Sequence, residues 1–223
     1  MKIGIIGAME QEIEIFKNKI ENIQVTKIFG KTFYEGTWHN KQVVLTQSGI
    51  GKVYAALATQ TIINHFGGTH VINSGVAGAI SEKLIPGDIV VSTDLVYHDV
   101  DVTGFGYPHG QVPGTTSLFF EADKKMIDLV SDQNIYTGRI ATGDQFISDS
   151  NKKQWIRETF EPMCVEMEGA AIGHVCGINK TPFVVIRAIS DTASGDAEEE
   201  FADNLQKGVE RATGITEYIV ENL

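Results

Sequence analysis

The chain has 223 residues, 42% of them apolar and 21% charged, enough to bury a sizeable core within one α/β unit. A formal net charge of -11, with no basic cluster denser than Lys152-Lys153, excludes nucleic acids and anionic membrane surfaces as partners. Cys164 and Cys176 sit in apolar stretches and read as reduced core thiols, no apolar run approaches the ~20 residues of a transmembrane helix, and the opening is too short for a signal h-region, so a soluble cytoplasmic protein is expected.

Lys2 to Gly7 reads as a short buried strand that turns through Ala8-Met9 into an acidic helix beginning at Glu10. Gly4 and Gly7 do not complete a dinucleotide fingerprint. Val25–Phe29, Thr32–Trp38 and Gln42–Thr46 follow as strands with short polar turns. Gly30-Lys31 and Gly51-Lys52 resemble fragments of a phosphate loop. The first lacks the opening glycine and the second is followed by Val53, so neither lysine fits a phosphate site. Val53 to Phe66 is an Ala-rich helix stopped by Gly67-Gly68. His70–Asn73 is a strand, and Ser74–Ala79 reads as a tight turn whose glycines, Gly75 and Gly78, let a ligand approach the backbone.

Pro86-Gly87-Asp88 feeds a strand from Ile89. A long Gly-rich aromatic segment from His98 to Gly110 comes next; His98, Asp99, Asp101 and His109 within it match no metal-ligand spacing. Ser117–Ser131 reads as a helix, Thr137–Thr142 as a strand and Asn151–Phe160 as an amphipathic helix. Pro182–Ile189 is a near-continuous apolar run, the mark of a central strand, which stops at Ser190-Asp191. Glu198–Asn222 closes the chain as a long helix. The expectation is a single domain over residues 1–223, a three-layer α/β/α arrangement with a twisted mixed central sheet.

Polar residues collect just past the apolar strands, at Met9–Glu12, Asn73–Gly78, Asp144–Ile147 and Ser190-Asp191. Ligands of open α/β sheets bind beyond such strand ends. Arg187, inside an apolar strand, requires a buried acidic partner, which Glu166 or Glu168 supplies. Those two carboxylates flank Met167 and precede the small-residue run Gly169-Ala170-Ala171-Ile172. They serve equally as helix-start acids or as the grip for a vicinal diol such as a ribose.

Gly7-Ala8-Met9-x-x-Glu12, Ser48-Gly49-Ile50-Gly51-Lys52, the glycines at 75 and 78, Gly143-Asp144-x-Phe146-Ile147, Val165-Glu166-Met167-Glu168 and Arg187-Ala188-Ile189-Ser190-Asp191 occur in one order. Together they resemble the 5′-methylthioadenosine/S-adenosylhomocysteine nucleosidases of the nucleoside phosphorylase superfamily, from Lys2 to about Phe201. The resemblance implies hydrolysis of the N-glycosidic bond of adenine thioribosides in methionine salvage, without metal or organic cofactor. It assigns Glu12 to activating water and Asp191 to protonating adenine N7. Glu168 would bind the ribose hydroxyls beside Met167, Phe146 would stack on the base and Ile147 would offer it backbone contacts. Met9, Ile50, Gly78, Glu166, Ser190 and Phe201 complete the substrate-contacting set. Val102, Phe105 and Pro113 would close the neighbouring subunit's pocket in a homodimer.

The chemistry agrees with these roles. Glycoside cleavage builds positive character on the sugar and negative charge on the leaving base, so it needs an acid at the base and a carboxylate at the sugar. Asp191 must stay protonated near pH 7, about three units above an ordinary aspartate, and burial is the means. Related activities are a nucleoside phosphorylase, a 6-amino-6-deoxyfutalosine nucleosidase and, in another class, a nucleoside sensor without turnover. The absence of Lys or Arg between Lys2 and Lys17 disfavours phosphate binding, and Glu12 with Asp191 disfavours a sensor. Val76 stands where the family often has Ser, so one hydroxyl near the sugar or water is missing.

Overall fold

The most hydrophobic stretches of the chain form the middle of its sheet. The computed structural model describes residues 1–223. Strand β1 (Lys2–Gly7) lies between β4 (Lys41–Gln47) and β5 (His70–Ala79), parallel to both, and its Ile3, Ile5 and Ile6 are completely buried. The antiparallel strands β2 (Glu21–Ile28) and β3 (Lys31–Trp38) extend the sheet beyond β4. On the other flank β5 pairs with both β9 (Cys164–Glu166) and β10 (Phe183–Asp191). Strand β10 continues to β6 (Ile89–Tyr97), β6 to β8 (Tyr136–Thr142), and β8 to β9. That circuit returns to β5, so this half of the ten-stranded mixed sheet curls on itself. A two-residue strand, β7 (Phe120–Glu121), pairs with β6.

Helices cover both faces, giving the expected three layers. On one side α2 (Lys52–Asn64) packs on α5 (Gly169–Asn179), whose small residues allow close approach, over a core that includes Ile6, Val71, Leu95 and Val185. On the other, α1 (Glu10–Lys19), α3 (Lys124–Leu129) and α6 (Ala197–Asn222) cover Ile3, Leu45, Ile72 and Ile186. Helix α4 (Ser150–Phe160) closes a smaller cluster through Ile156 and Phe160. No helix is long and apolar enough to cross a membrane.

The structure differs from the sequence expectation at three places. Ser74–Ala79 is not a turn: β5 runs through it, paired with β10 from Phe183↔Val71 to Asp191↔Gly78. Its glycines serve side chains that cross the strand, not a reversal of the chain. Ser117–Ser131 is not one helix, because Phe120 and Glu121 hydrogen-bond to β6 and α3 starts only at Lys124, capped by the Asp123 carboxylate accepting from Met126 N at 2.9 Å. Finally, β10 does not stop before Ser190-Asp191. It carries both residues into the sheet, with an irregularity between Ile189 and Asp191.

Candidate active site

The carboxyl-terminal ends of β1, β5, β8, β9 and β10 surround a solvent-connected cavity with about 620 Å3 of empty volume, where open α/β sheets hold their ligands. Its lining contains every residue expected to act on substrate within one subunit. These are Glu12 and Asp191, and Met9, Ile50, Gly78, Phe146, Ile147, Glu166, Met167, Glu168, Ser190 and Phe201. It also contains Ala8, Val76, Ala77, Gln145 and Val165, which the motifs did not single out as contacts. All five lie within or next to a motif, and alternation along β5 places Val76 and Gly78 on one face.

Glu12 enters the cavity floor from the first turn of α1. Its Oε2 accepts from the N–H of Ala8 at 2.6 Å and Met9 at 3.0 Å, and its Oε1 from the N–H of Val76 at 3.2 Å. Burial pushes its pKa up, while Arg187 and these three N–H groups pull it back. The Val76 contact is through the backbone, so the absent side-chain hydroxyl does not affect the hold on Glu12. Ser74 lies two residues down the strand, outside the cavity lining, and supplies no replacement hydroxyl there.

Arg187 lies beneath the cavity, almost wholly buried, and both anticipated partners reach it. Its Nη2 donates to Glu166 Oε2, to Asn73 Oδ1 at 2.5 Å and to Glu168 Oε2 at 3.4 Å. Asn73 is fixed in turn by donating from Nδ2 to Ile6 O at 2.9 Å. Gly75 makes this possible: a Cβ there would press into Arg187 Nη1 and Glu12 Oε1.

The two acids of the Glu-Met-Glu stretch have separate roles. Glu166, not Glu168, satisfies the start of α5, with Oε2 accepting from Glu168 N at 3.0 Å and Gly169 N at 2.7 Å. Its Oε1 accepts from Thr142 Oγ1. Both of its oxygens are therefore engaged by protein donors, and its side chain organises the site rather than reaching outward. Glu168 holds the N-cap position of α5 without capping it. Its Oε1 accepts from Gly51 N at 2.8 Å, and the carboxylate borders the cavity. Burial raises its pKa against the opposing pull of Arg187.

Asp191 ends β10 opposite Gly78, where a Cβ would stand 2.7 Å from its Oδ1. Ser190 Oγ donates to its Oδ2 at 2.8 Å and Ala193 N to its Oδ1 at 2.9 Å. Burial raises its pKa, outweighing these two hydrogen bonds. Phe146, nearly half exposed, meets Phe201 of α6 edge-on at 6.1 Å between centroids across the cavity mouth. Ile50 also stands at the mouth, 53% exposed, whereas Ile147 is buried.

The long segment after β6 lies elsewhere. Val102 and Phe105 do not border the cavity, and Phe105 is 86% exposed. Pro113 lines a separate groove with Val112, Phe119, His174 and Ile178. The acids and histidines of this segment have diverse surroundings: Asp99 accepts from Lys52, Asp101 from Thr103, His109 packs edge-on against Trp155, and His98 is buried against Gly143.

Known proteins share this sequence pattern and fold. The sequence model of the Phosphorylase superfamily matches residues 2–221. A 5′-methylthioadenosine/S-adenosylhomocysteine nucleosidase of Psychromonas ingrahamii is 43% identical over the whole of both chains. The S-adenosylhomocysteine nucleosidase of Streptococcus pyogenes, solved in complex with 5-methylthiotubericidin, superposes with a TM-score of 0.97 at 38% identity, covering 100% of this chain and 97% of that one. The futalosine hydrolase of Helicobacter pylori superposes at 0.95 with 34% identity, covering 100% and 98%. Buried acids at the ends of β1, β9 and β10 and the family match over nearly every residue lead to one assignment: the chain belongs to the phosphorylase superfamily and, within it, to the 5′-methylthioadenosine/S-adenosylhomocysteine nucleosidases.

Proposed function

We propose that the protein, acting as one domain over residues 1–223, hydrolyses the N-glycosidic bond of 5′-methylthioadenosine and S-adenosylhomocysteine to release adenine and the thioribose. The observation that carries this reading is the meeting of three buried carboxyl groups, Glu12, Glu168 and Asp191, in one cavity with an aromatic ring at its mouth. Adenine stacks on Phe146 beside Ile147, and Asp191, whose pKa burial raises, donates its proton to N7 as the C1′–N9 bond breaks and its electrons pass to the base. Glu168 holds the ribose hydroxyls. A water adds to C1′ and gives its proton to Glu12, which three backbone N–H groups aim into the cavity. Asn73 and Glu166 keep Arg187 in place beneath both acids.

Water rather than phosphate is the nucleophile, since no Lys or Arg occurs between Lys2 and Lys17 and Arg187 is taken by Glu166, Glu168 and Asn73. Adenine and a reducing sugar released from methylthioadenosine in phosphate-free buffer are the expected products. A sugar phosphate formed only with phosphate, or binding without release, refutes the reading. The likeness to futalosine hydrolase makes 6-amino-6-deoxyfutalosine the competitor substrate to assay alongside.

The working unit is a homodimer in the cytoplasm, where the buried free thiols of Cys164 and Cys176 stay reduced. Exposed Phe105, with Val102 and Pro113, supports this, because apolar groups so placed are unfavourable on a monomer. A monomeric mass by light scattering from fully active enzyme refutes it.

A further inference from the structure

Ser48-Gly49-Ile50-Gly51-Lys52 contributes only Ile50 to the cavity lining, yet it is tied to three other segments at once. Gly51 is the N-cap of α2, with φ of +100°, and has no side chain to satisfy the first N–H groups of that helix. Carboxylates from distant segments satisfy them instead. Gly51 N donates to Glu168 Oε1 at 2.8 Å, and Lys52 N donates to Asp144 Oδ1 at 2.8 Å. The Lys52 ammonium then reaches Asp99 Oδ2 at 2.6 Å and lies 3.7 Å from Asp144 Oδ2, over the Tyr97 ring. Asp99 Oδ2 also accepts from Asp144 N at 2.9 Å. One ammonium thus joins the segments after β6 and β8 to the start of α2, next to the peptide that holds Glu168.

We propose that Lys52 is a positioning residue for Glu168, fixing the Gly51 N–H on its Oε1 by drawing Asp99 and Asp144 together at the start of α2. The proposal rests on the reading of Glu168 as the carboxylate that grips the ribose. Without the ammonium, Asp99 and Asp144 face each other as like charges, with only the Asp144 N–H between them. They separate, α2 loses its external cap, and the Gly51 N–H leaves Glu168. The carboxylate then keeps Arg187, at 3.4 Å, as its remaining charged partner, free to turn away from the sugar. Arginine at position 52 can still satisfy both aspartates; methionine keeps the stem's packing and removes the charge.

The test compares Lys52→Met, Lys52→Arg and wild type on methylthioadenosine and its 2′-deoxy counterpart. Lys52→Met is expected to lower kcat/KM about tenfold on the ribose substrate and about twofold or less on the deoxy one, with Lys52→Arg recovering most of the loss. Equal losses on both substrates overturn the proposal, because general damage to the fold does not distinguish one sugar from the other. Amide hydrogen exchange at Gly51 provides a readout without substrate: exchange at least about tenfold faster in Lys52→Met is expected. Unchanged exchange overturns the clamp whatever the substrate. Absence of adenine release by wild type counts against the functional reading alone.

Discussion

Replacing Gly75 with alanine places a methyl group where Arg187 and Glu12 cross β5. A Cβ there lies inside van der Waals contact of Arg187 Nη1 and Glu12 Oε1 and 3.0 Å from Glu12 Cδ. Neither neighbour can yield cheaply. Three backbone N–H groups hold Glu12, and Arg187 is buried among Glu166, Glu168 and Asn73. Overpacking costs about 1–3 kcal/mol and loss of one charge-assisted hydrogen bond, that of Val76 to Glu12, about 1.5–3 more, so the expected destabilisation is about 2.5–6 kcal/mol. For a chain of this size that lowers Tm by at least about 5 °C. On the proposed mechanism a displaced Glu12 also loses its line to the attacking water, costing about 10²- to 10⁴-fold in kcat. Thermal unfolding and adenine release, measured on the same preparation, check both numbers. Gly214→Ala is the control: that exposed site in α6 has no neighbouring atom within 4 Å of the added methyl, and the substitution should stabilise by about 0.5–1 kcal/mol without touching activity. A Gly75→Ala protein that melts and turns over like wild type refutes the crossing of side chains as the reason for the glycine.

Glu12→Gln and Asp191→Asn are each expected to fold normally and lose at least about 10²-fold in kcat, which steady-state adenine release would show. Glu168→Gln should lower kcat as well as raise KM, because its contact strengthens as the sugar gains positive charge; a 2′-deoxy substrate should lose little further in that variant, and additive losses count against the ribose role. On the proposed mechanism Asp191 works protonated and Glu12 ionised, and burial raises the pKa of both. Activity should therefore fall on the acid side, above the usual carboxylate range, as Glu12 gains its proton, and on the alkaline side as Asp191 loses its own; a flat profile across that interval contradicts the pairing. The raised pKa of Glu168 likewise means a stability contribution present below the ordinary glutamate pKa and lost as pH rises through the folded value, so Glu168→Gln should flatten the decline of Tm toward alkaline pH.

Residues that act through one strong constraint are legible in the sequence. Arg187 in an apolar strand announces buried acids, since an unpaired charge there is untenable, and both Glu166 and Glu168 are found on it. Apolar runs mark β1 and β10 because strands covered on both faces cannot alternate. Gly75 and Gly78 mislead for a physical reason: glycine marks a turn and a close approach alike, and only the pairing of β5 with β10 separates the two. The short strand at Phe120-Glu121 is hidden because its partner, β6, lies far away in sequence. Glu166 and Glu168 cannot be told apart by pattern, since which carboxylate caps α5 depends on the direction of the chain leaving β9. Lys52 fits no phosphate motif, and its actual partners, Asp99 and Asp144, come from loops that only the curled half of the sheet brings together.

The ground beneath the cavity is electrically unbalanced. Glu12, Glu166 and Glu168 gather around the single guanidinium of Arg187, three acids to one cation, a shortage of counter-ion in a site where burial already raises the pKa values of Glu12 and Glu168. A neutral nucleoside does not relieve that shortage. The sugar relieves it only while the bond to the base is breaking and the ring is briefly an oxocarbenium ion. The enclosure therefore behaves as a vacancy for a cation whose natural occupant exists only at the barrier top. A ribose mimic carrying a permanent positive charge at the ring should be held far more tightly than its uncharged isostere, and the gap should narrow in Glu168→Gln, where that side chain can no longer ionise beside the ring.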